Sequence, residues 1–308
     1  MARRQLTVAV VGGSGFIGRA IARRLAKTEQ LKVRVLSRSP DRARERLREI
    51  EAEFVHADVT EPSTLKPALK GAAFVVDAVQ FDGYPVEDPR RGLTFERVDL
   101  FGCLALLEAA RSAGVDQFVY ISGVSADEKS KHPAFRAKGQ AEKAIRESGL
   151  GYTIFRPSLV FGQEDRVLNT IVKALRFSPV IVAPGSGQQK LQPVWVEDLA
   201  ECVARALTSQ EKALGRTFDV GGPEVVTFDQ LLQLVMDITG YRRAIVHVPD
   251  SVLYFVGSIA EKLPRPLFSR DAATFVTTDS VCDVKPLVKA LGIELTPLKK
   301  ALAYLAAR

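Results

Sequence analysis

The chain is poor in the residues that build metal sites and disulfide frameworks. Its 308 residues include three cysteines and three histidines. Cys103, Cys202 and Cys282 stand far apart in apolar, mostly helical surroundings, and no CxxC pair occurs. His56, His132 and His247 are equally dispersed. Neither set has the spacing of a metal site, so buried reduced thiols and no metal are expected. No apolar run approaches the length of a membrane span, and there is no internal repeat or low-complexity tract. The opening MARRQLTV passes at once into a strand-like segment and leaves no room for a signal peptide. These absences point to a cytoplasmic protein. Also lacking is a basic stripe interleaved with aromatic or groove-reading elements, so no nucleic acid is expected despite a net charge of +7. Much of that charge lies in Arg42, Arg44, Arg46 and Arg48, which read as a solvated helix face. A basic surface also suits a phosphorylated cofactor or an acidic membrane.

What is present is ordinary for a soluble globular chain, with 46% hydrophobic and 26% charged residues. The length allows one large α/β unit or two modest domains. The most informative stretch runs from Val8 to Leu25, VAVVGGSGFIGRAIARRL. Val8, Ala9, Val10 and Val11 read as a buried parallel strand. Gly12, Gly13, Ser14 and Gly15 form a small-residue turn. From Phe16 a helix restarts, with Ile17, Ile21 and Leu25 on one face and Arg19, Arg23 and Arg24 off it. Strand, glycine turn and helix in that order make a pyrophosphate cradle spanning Gly12, Ser14, Gly15, Phe16, Ile17 and Gly18. Its glycines admit close approach of backbone N–H groups, and the helix N-terminus favours negative charge.

Strand signals at Val33–Leu36, Phe54–Ala57, Phe74–Ala78, Phe118–Ser122 and Tyr152–Arg156 alternate with helical stretches, notably Phe101–Ala113 and Phe135–Ser148. That rhythm predicts an α/β fold, a doubly wound parallel sheet whose ligand lies beyond the carboxyl ends of the strands. It loosens after about residue 160. A dinucleotide-binding domain over 1–160 and a smaller substrate- or partner-facing lobe over 161–308 are expected, the lobe returning in part to the sheet with a strand at Thr217–Val220. Thr227 reads as the N-cap of a helix within that lobe.

Where a chain that binds NAD carries an acid after its second strand, this one has Leu36-Ser37-Arg38-Ser39-Pro40. An acid would repel a 2′-phosphate, whereas Ser37 and Arg38 can donate to it, and Arg19 can add a second charge. The pattern predicts NADP(H) over NAD(H), the alternative being that Arg38 is a solvated loop charge. Asp58 and Val59 end the third strand, where Asp58 can accept from an adenine amino group and Val59 pack on the ring; alternatively Asp58 caps the helix near Ser63. Ala78, Val79 and Gln80 close the fourth strand beside the expected diphosphate and ribose.

GGSGFIG, the Arg after the second strand, ADV, DAVQ, FVYISGVSA, KGQAE, YTIFRPSLVFG and QPVWVEDLA succeed one another as in the short-chain dehydrogenase/reductase superfamily. The chain resembles its extended and atypical branches over nearly the whole length, which implies a Rossmann-type sheet with a smaller C-terminal substrate lobe. Within them it looks most like the group containing the nucleotide-binding accessory subunit of respiratory complex I and its bacterial relatives; NmrA-like proteins are more distant. The resemblance implies a catalytic Ser at Ser122 and Lys at Lys138, the latter also bonding the nicotinamide ribose, with Pro157 and Ser158 flanking the nicotinamide. It also implies a Tyr four residues before Lys138, where the chain has Ala134.

Neither Ala134 nor its neighbour Phe135 can donate a proton. Tyr84, in a Gly-Tyr-Pro loop, is a candidate substitute or else a surface or core-edge aromatic. Glu142 is placed to pair with Lys138 one turn away, and Asp198 reads as a helix cap. The segment 251–263, SVLYFVGSIAEKL, is too apolar for one narrow stripe. It suits a core element, the wall of a pocket for an apolar, isoprenoid or quinone-like substrate, a contact with another protein, or a shallow membrane contact near Lys262, Arg265 and Arg270.

Two readings follow: an NADP(H)-dependent oxidoreductase acting on an apolar carbonyl or quinone-like substrate without the usual Tyr, or a non-catalytic protein in which NADPH is a structural or redox-sensing ligand and the chain acts through assembly or a partner. A sugar-nucleotide epimerase needs the same missing Tyr and ranks last.

Overall fold

Short apolar runs separated by helices of one apolar face can bury themselves only as a layered sheet, and the computed structural model has that arrangement. It describes residues 5–263 and 268–307. Residues 1–4 and 264–267, among them Arg265 of the expected basic rim, lie outside the described residues. The first half consists of β1 (Leu6–Val11), α1 (Phe16–Ala26), β2 (Leu31–Ser37), α2 (Pro40–Arg46), β3 (Glu53–His56), α3 (Leu65–Leu69) and β4 (Phe74–Asp77). A π-helical segment, Phe95–Phe101, then runs into α4 (Gly102–Ala113), followed by β5 (Gln117–Ile121), α5 (Pro133–Glu147) and β6 (Gly151–Pro157). The second half contains β7 (Val160–Phe161), α6 (Val167–Phe177), β8 (Val180–Pro184), β9 (Lys190–Leu191), β10 (Val194–Trp195), α7 (Val196–Thr208), β11 (Arg216–Val220) and β12 (Val226–Thr227). It ends with α8 (Phe228–Thr239), β13 (Ala244–Val248), α9 (Asp250–Ala260), α10 (Arg270–Thr277), α11 (Lys285–Leu291) and α12 (Leu298–Ala301).

Seven strands form one parallel sheet in the order β11-β6-β5-β4-β1-β2-β3. The order reverses direction at β1, so the connections after β3 cross to the other side and leave a crevice at the carboxyl ends of β1 and β4. Each face of the sheet has its own core. Ile21, Leu25, Leu199, Val203, Leu287 and Leu291 cover one face from α1, α7 and α11. Leu65, Leu69, Leu106, Ala110, Ala141 and Ile145 cover the other from α3, α4 and α5. Because α7, β11 and α11 belong to the first of these cores, packing crosses residue 160 even though the sequence rhythm changes there.

A third core, with Leu168, Leu175, Leu231, Val235 and Leu302, holds the C-terminal lobe together. Its strands make two-stranded pairs, β7 with β10, β9 with β12 and β8 with β13. Thr227 caps α8 with a full capping box: its hydroxyl accepts from the Gln230 N–H at 3.2 Å, and Gln230 Oε1 accepts from the Thr227 N–H at 2.8 Å. Asp198 is not a cap. The N-cap of α7 is Trp195, and Asp198 instead accepts from the Thr296 N–H and hydroxyl, both at 2.8 Å, tying the chain after α11 to α7.

The apolar segment 251–263 is not core. Among the described residues, α9 leaves Val252, Phe255, Val256 and Ile259 exposed, Phe255 at 65%, and buries Gly257. No helix among the described residues is long and apolar enough to cross a membrane. Cys103 and Cys202 are buried free thiols, and Cys282 is half-buried.

The amino-terminal side of the sheet is sewn together by a buried polar group. Gln117 Nε2 donates to Thr153 Oγ1 at 2.9 Å, its Oε1 accepts from Gln210 at 3.0 Å, and Thr153 Oγ1 donates to the Ala213 carbonyl at 2.8 Å. Replacing Gln117 by Ala removes the donor to the buried Thr153 hydroxyl, while half-buried Gln210 keeps access to water. Gln117→Ala is expected to cost about 2 kcal/mol in urea unfolding, and the half-buried Gln210→Ala no more than about 1 kcal/mol.

Candidate functional site

β1 ends at Val11, and Gly12 turns the chain with φ +73°, a region that side chains other than glycine rarely enter. A Cβ at Gly12 would lie 2.7 Å from the Ala78 carbonyl oxygen. The turn therefore passes in direct contact with the end of β4, bringing Ala78, Val79 and Gln80 alongside Gly12 to Gly15. A Cβ at Gly18 would run into the Gly12 carbonyl, so α1 packs directly on the turn. Gly15 is the N-cap of α1, offers no side chain to it, and no acid lies in the first turn. The free N–H groups of that turn and the positive end of the helix dipole face the crevice. This is a cradle that any side chain at Gly12 would fill, and it fits the diphosphate of a dinucleotide. Phe16 turns away from it, its ring beside Gly162 and Trp195 in a cleft of about 330 Å³.

Next to the cradle, Ser14 Oγ and Ser37 Oγ are 3.1 Å apart, joining the turn to the end of β2. Arg38 follows, exposed and without a hydrogen bond or ion pair to other described residues; the Asp82 carboxyl is lowered chiefly by its bond from Arg166, with the Arg38 charge adding a smaller part. Arg19 does not reach out as a second free charge. Its guanidinium is held by Glu164 at 2.6 Å and donates to the Ser14 carbonyl at 2.8 Å. Arg46 is exposed, as expected of a solvated face, and its guanidinium also reaches the Ser14 carbonyl at 3.3 Å. Burial and the like charges of Arg42 and Arg19 lower its pKa. The Ser14 carbonyl thus gathers the Arg19 and Arg46 guanidiniums, while the Ser14 and Ser37 hydroxyls meet each other.

Val59 is buried against Gly102, and Asp58 folds back on Thr60, accepting from its N–H and hydroxyl at 2.8 Å. Asp58 therefore closes a turn, not the helix near Ser63. At the end of β6, the Pro157 carbonyl accepts from the Val124 N–H at 3.2 Å, and Ser158 Oγ bonds the Gln192 and Ser280 carbonyls at 2.9 and 3.0 Å.

The positions that would carry proton chemistry are occupied by internal partners. Ser122 donates to Glu142 Oε1 at 2.6 Å. Glu142 is wholly buried and also accepts from Arg156 at 2.8 Å through Oε1, and from Arg156 and Arg146 at 2.5 Å each through Oε2. It does not pair with Lys138. The Lys138 ammonium lies instead 3.5 Å from Asp99 Oδ1, 3.4 Å from the Ile121 carbonyl and 5.4 Å from the centre of the Tyr120 ring. Ala134 is 2% exposed, packed into the second core. Tyr84 stands in an aromatic cluster, its ring 5.4 Å from Phe81 and 5.5 Å from both Phe95 and Phe275. Burial, then Asp99 and Asp271, push its phenol well above the usual value.

Sequence reasoning missed Asp99, Arg46 and the ligation of Glu142. Asp99 sits on the π-helical segment, outside any α-helical period, and the others depend on contacts between distant strands and helices. Glu142→Ala leaves two guanidinium groups and a serine facing a cavity and is expected to lower stability by about 3 kcal/mol. Ser122→Ala is expected to lower it by about 1 kcal/mol. Chemical denaturation of the two variants checks the order.

A family model described as NAD(P)H-binding matches residues 12–210. The subunit 9 of the NADH dehydrogenase [ubiquinone] 1 alpha subcomplex from Arabidopsis thaliana mitochondria is 28% identical, over 96% of this chain and 75% of that one. A photosystem II assembly factor from Trieres chinensis is 26% identical, over 82% of this chain and 76% of that one. Among solved structures, the Citrobacter sp. triphenylmethane reductase complexed with NADP(H) superposes with a TM-score of 0.75 at 22% identity, covering 97% of this chain and 100% of that one.

Proposed function

Because the chain belongs to the NAD(P)H-binding family, we propose that it holds NADP(H) as a resident structural or redox-sensing ligand and acts through a protein partner, with no substrate turned over at the nucleotide. One observation carries this reading: Ala134 supplies no proton, while Ser122 and Lys138 are engaged by Glu142 and Asp99. A hydride acceptor oxygen needs a donor within hydrogen-bond reach, and this site spends its polar groups on the fold.

Preference for the 2′-phosphorylated nucleotide is supported by the corner of Ser14, Ser37, Arg38 and Arg46, and by the lack of an acid after β2. Lys138 is assigned to the nicotinamide ribose, Asp58 and Val59 to the adenine, and Pro157 and Ser158 to the nicotinamide. Action through a partner is supported by the relatives, which are named as a complex subunit and an assembly factor. The exposed apolar face of α9 offers the contact surface, and the chain is assigned to the cytoplasm, with peripheral membrane contact at that face. The competing reading, a reductase of an apolar carbonyl or quinone-like substrate, needs a substitute donor, for which Tyr84 is the side-chain candidate. A phenol raised by burial and by Asp99 is a poorer acid in that role.

The deciding measurement is release of nucleotide from protein purified without added cofactor, followed under a chase of excess NADP⁺. NADPH held for hours is expected. Release in seconds with turnover of carbonyl or quinone substrates would overturn the reading. Arg38→Ala is expected to weaken NADPH about tenfold, the loss of one charge-assisted phosphate contact, with NADH unchanged in calorimetry. Phe255→Asp is expected to leave nucleotide affinity intact and to reduce sedimentation with anionic vesicles.

A further inference from the structure

The structure contains a buried carboxylate that the reading above does not use. Asp99 projects from the π-helical segment, its side chain 1% exposed, and no hydrogen bond from the described residues reaches either oxygen. Among the described residues the cation paired with it is Lys138, 3.5 Å away, an ion pair at a separation long for a hydrogen bond. Asp77 on β4, Cys103 on α4, Tyr120 on β5, and Tyr84 and Glu87 in the stretch after β4 also interact with Asp99 electrostatically. Burial pushes the Asp99 carboxyl up to about 6, with Lys138 opposing and Asp77 adding to the rise. At about pH 8 it is ionised.

Lys138 reaches the Ile121 carbonyl at 3.4 Å, at the carboxyl end of β5. That is the side of a doubly wound sheet where the reactive half of a dinucleotide lies. The two oxidation states of the nucleotide differ there by one positive charge, carried by the oxidised ring. An ammonium alone would repel that ring. Paired with a desolvated carboxylate, it is cancelled, and the weak screening of a buried site makes the cancellation count. A π-helical turn at this place, which costs regular hydrogen bonding, is the kind of distortion found where a side chain must be re-aimed.

We infer that Asp99, acting as a positioning and charge-compensating residue for Lys138, sets the balance between NADP⁺ and NADPH in this chain. The inference rests on the nucleotide-holding reading above. Without the carboxylate the site favours the reduced, uncharged ring; without the ammonium it favours the oxidised one.

The test is the ratio of dissociation constants for NADP⁺ and NADPH at about pH 8, by titration calorimetry of the full chain. Asp99→Asn keeps the shape and removes the charge. It is expected to raise the ratio of the NADP⁺ constant to the NADPH constant about tenfold, mainly through weaker NADP⁺. Lys138→Met is expected to move the ratio the other way, and it carries the test if Asp99→Asn does not fold. A ratio unchanged in the folded variants overturns the inference while leaving the nucleotide-holding reading intact. A wild-type chain that binds neither nucleotide overturns both.

Discussion

Glu142 is the residue on which the arrangement of this site depends. A carboxylate taken wholly out of water is costly unless every lone pair is met. Here Ser122 comes from just beyond β5, Arg156 from β6 and Arg146 from the next turn of α5. The donors fix where α5 sits against the sheet and how it is rotated. That rotation in turn decides that Lys138 faces the π-helical segment and that Ala134 faces the core. Were Glu142 apolar, α5 could slide or turn by a fraction of a residue at little cost, and the Lys138–Asp99 pair would lose its geometry.

The glycine turn is a constraint of a different kind, steric where Glu142 is electrostatic. Gly12 brings β1 and β4 into backbone contact, and Gly18 lets α1 rest on the turn. The resulting cradle is built from main-chain groups, so it does not depend on the side chains that crowd the far end of the crevice. The two ends of the site are therefore separable. The cradle and the corner at Ser14 and Ser37 lie at one end, while at the other Ser122 is tied to Glu142 and Lys138 to Asp99.

Local chemistry made the sheet strands and one later helix start readable. The apolar runs of β1 to β6, the glycines and the capping pattern at Thr227 each act within a few residues, and the predicted strands fall within a residue or two of the observed ones. The unread features all involve pairs far apart in the chain. Arg19 with Glu164, Glu142 with Arg156, Asp99 with Lys138 and Asp198 with Thr296 join elements that only the folded sheet brings together. Arg46 is exposed, as its charged short helix predicts, and its one bond toward the turn, to the Ser14 carbonyl, joins residues 32 apart. The helix expected over Phe101–Ala113 is preceded by π-helical residues, which a search for a 3.6-residue period cannot detect. Composition identified α9 as unusually apolar but could not tell burial from exposure, since that depends on what the rest of the lobe leaves uncovered.

The exposed face of α9 and the internal engagement of the catalytic positions bear on each other. A turnover enzyme gains from a site that opens, and it has no use for an uncovered row of Val252, Phe255, Val256 and Ile259, which in water is a liability to solubility. A chain whose work is to be part of something larger has the opposite needs: a rigid nucleotide-filled core and an apolar face to be covered by a partner. Bound nucleotide stabilises the folded state according to its concentration relative to its dissociation constant. In such a chain the cellular NADP(H) level would therefore set how much folded, docking-competent protein exists. Coupling of this sort requires no chemistry at the nicotinamide, and a site with Ala134 in place of a proton donor is compatible with it.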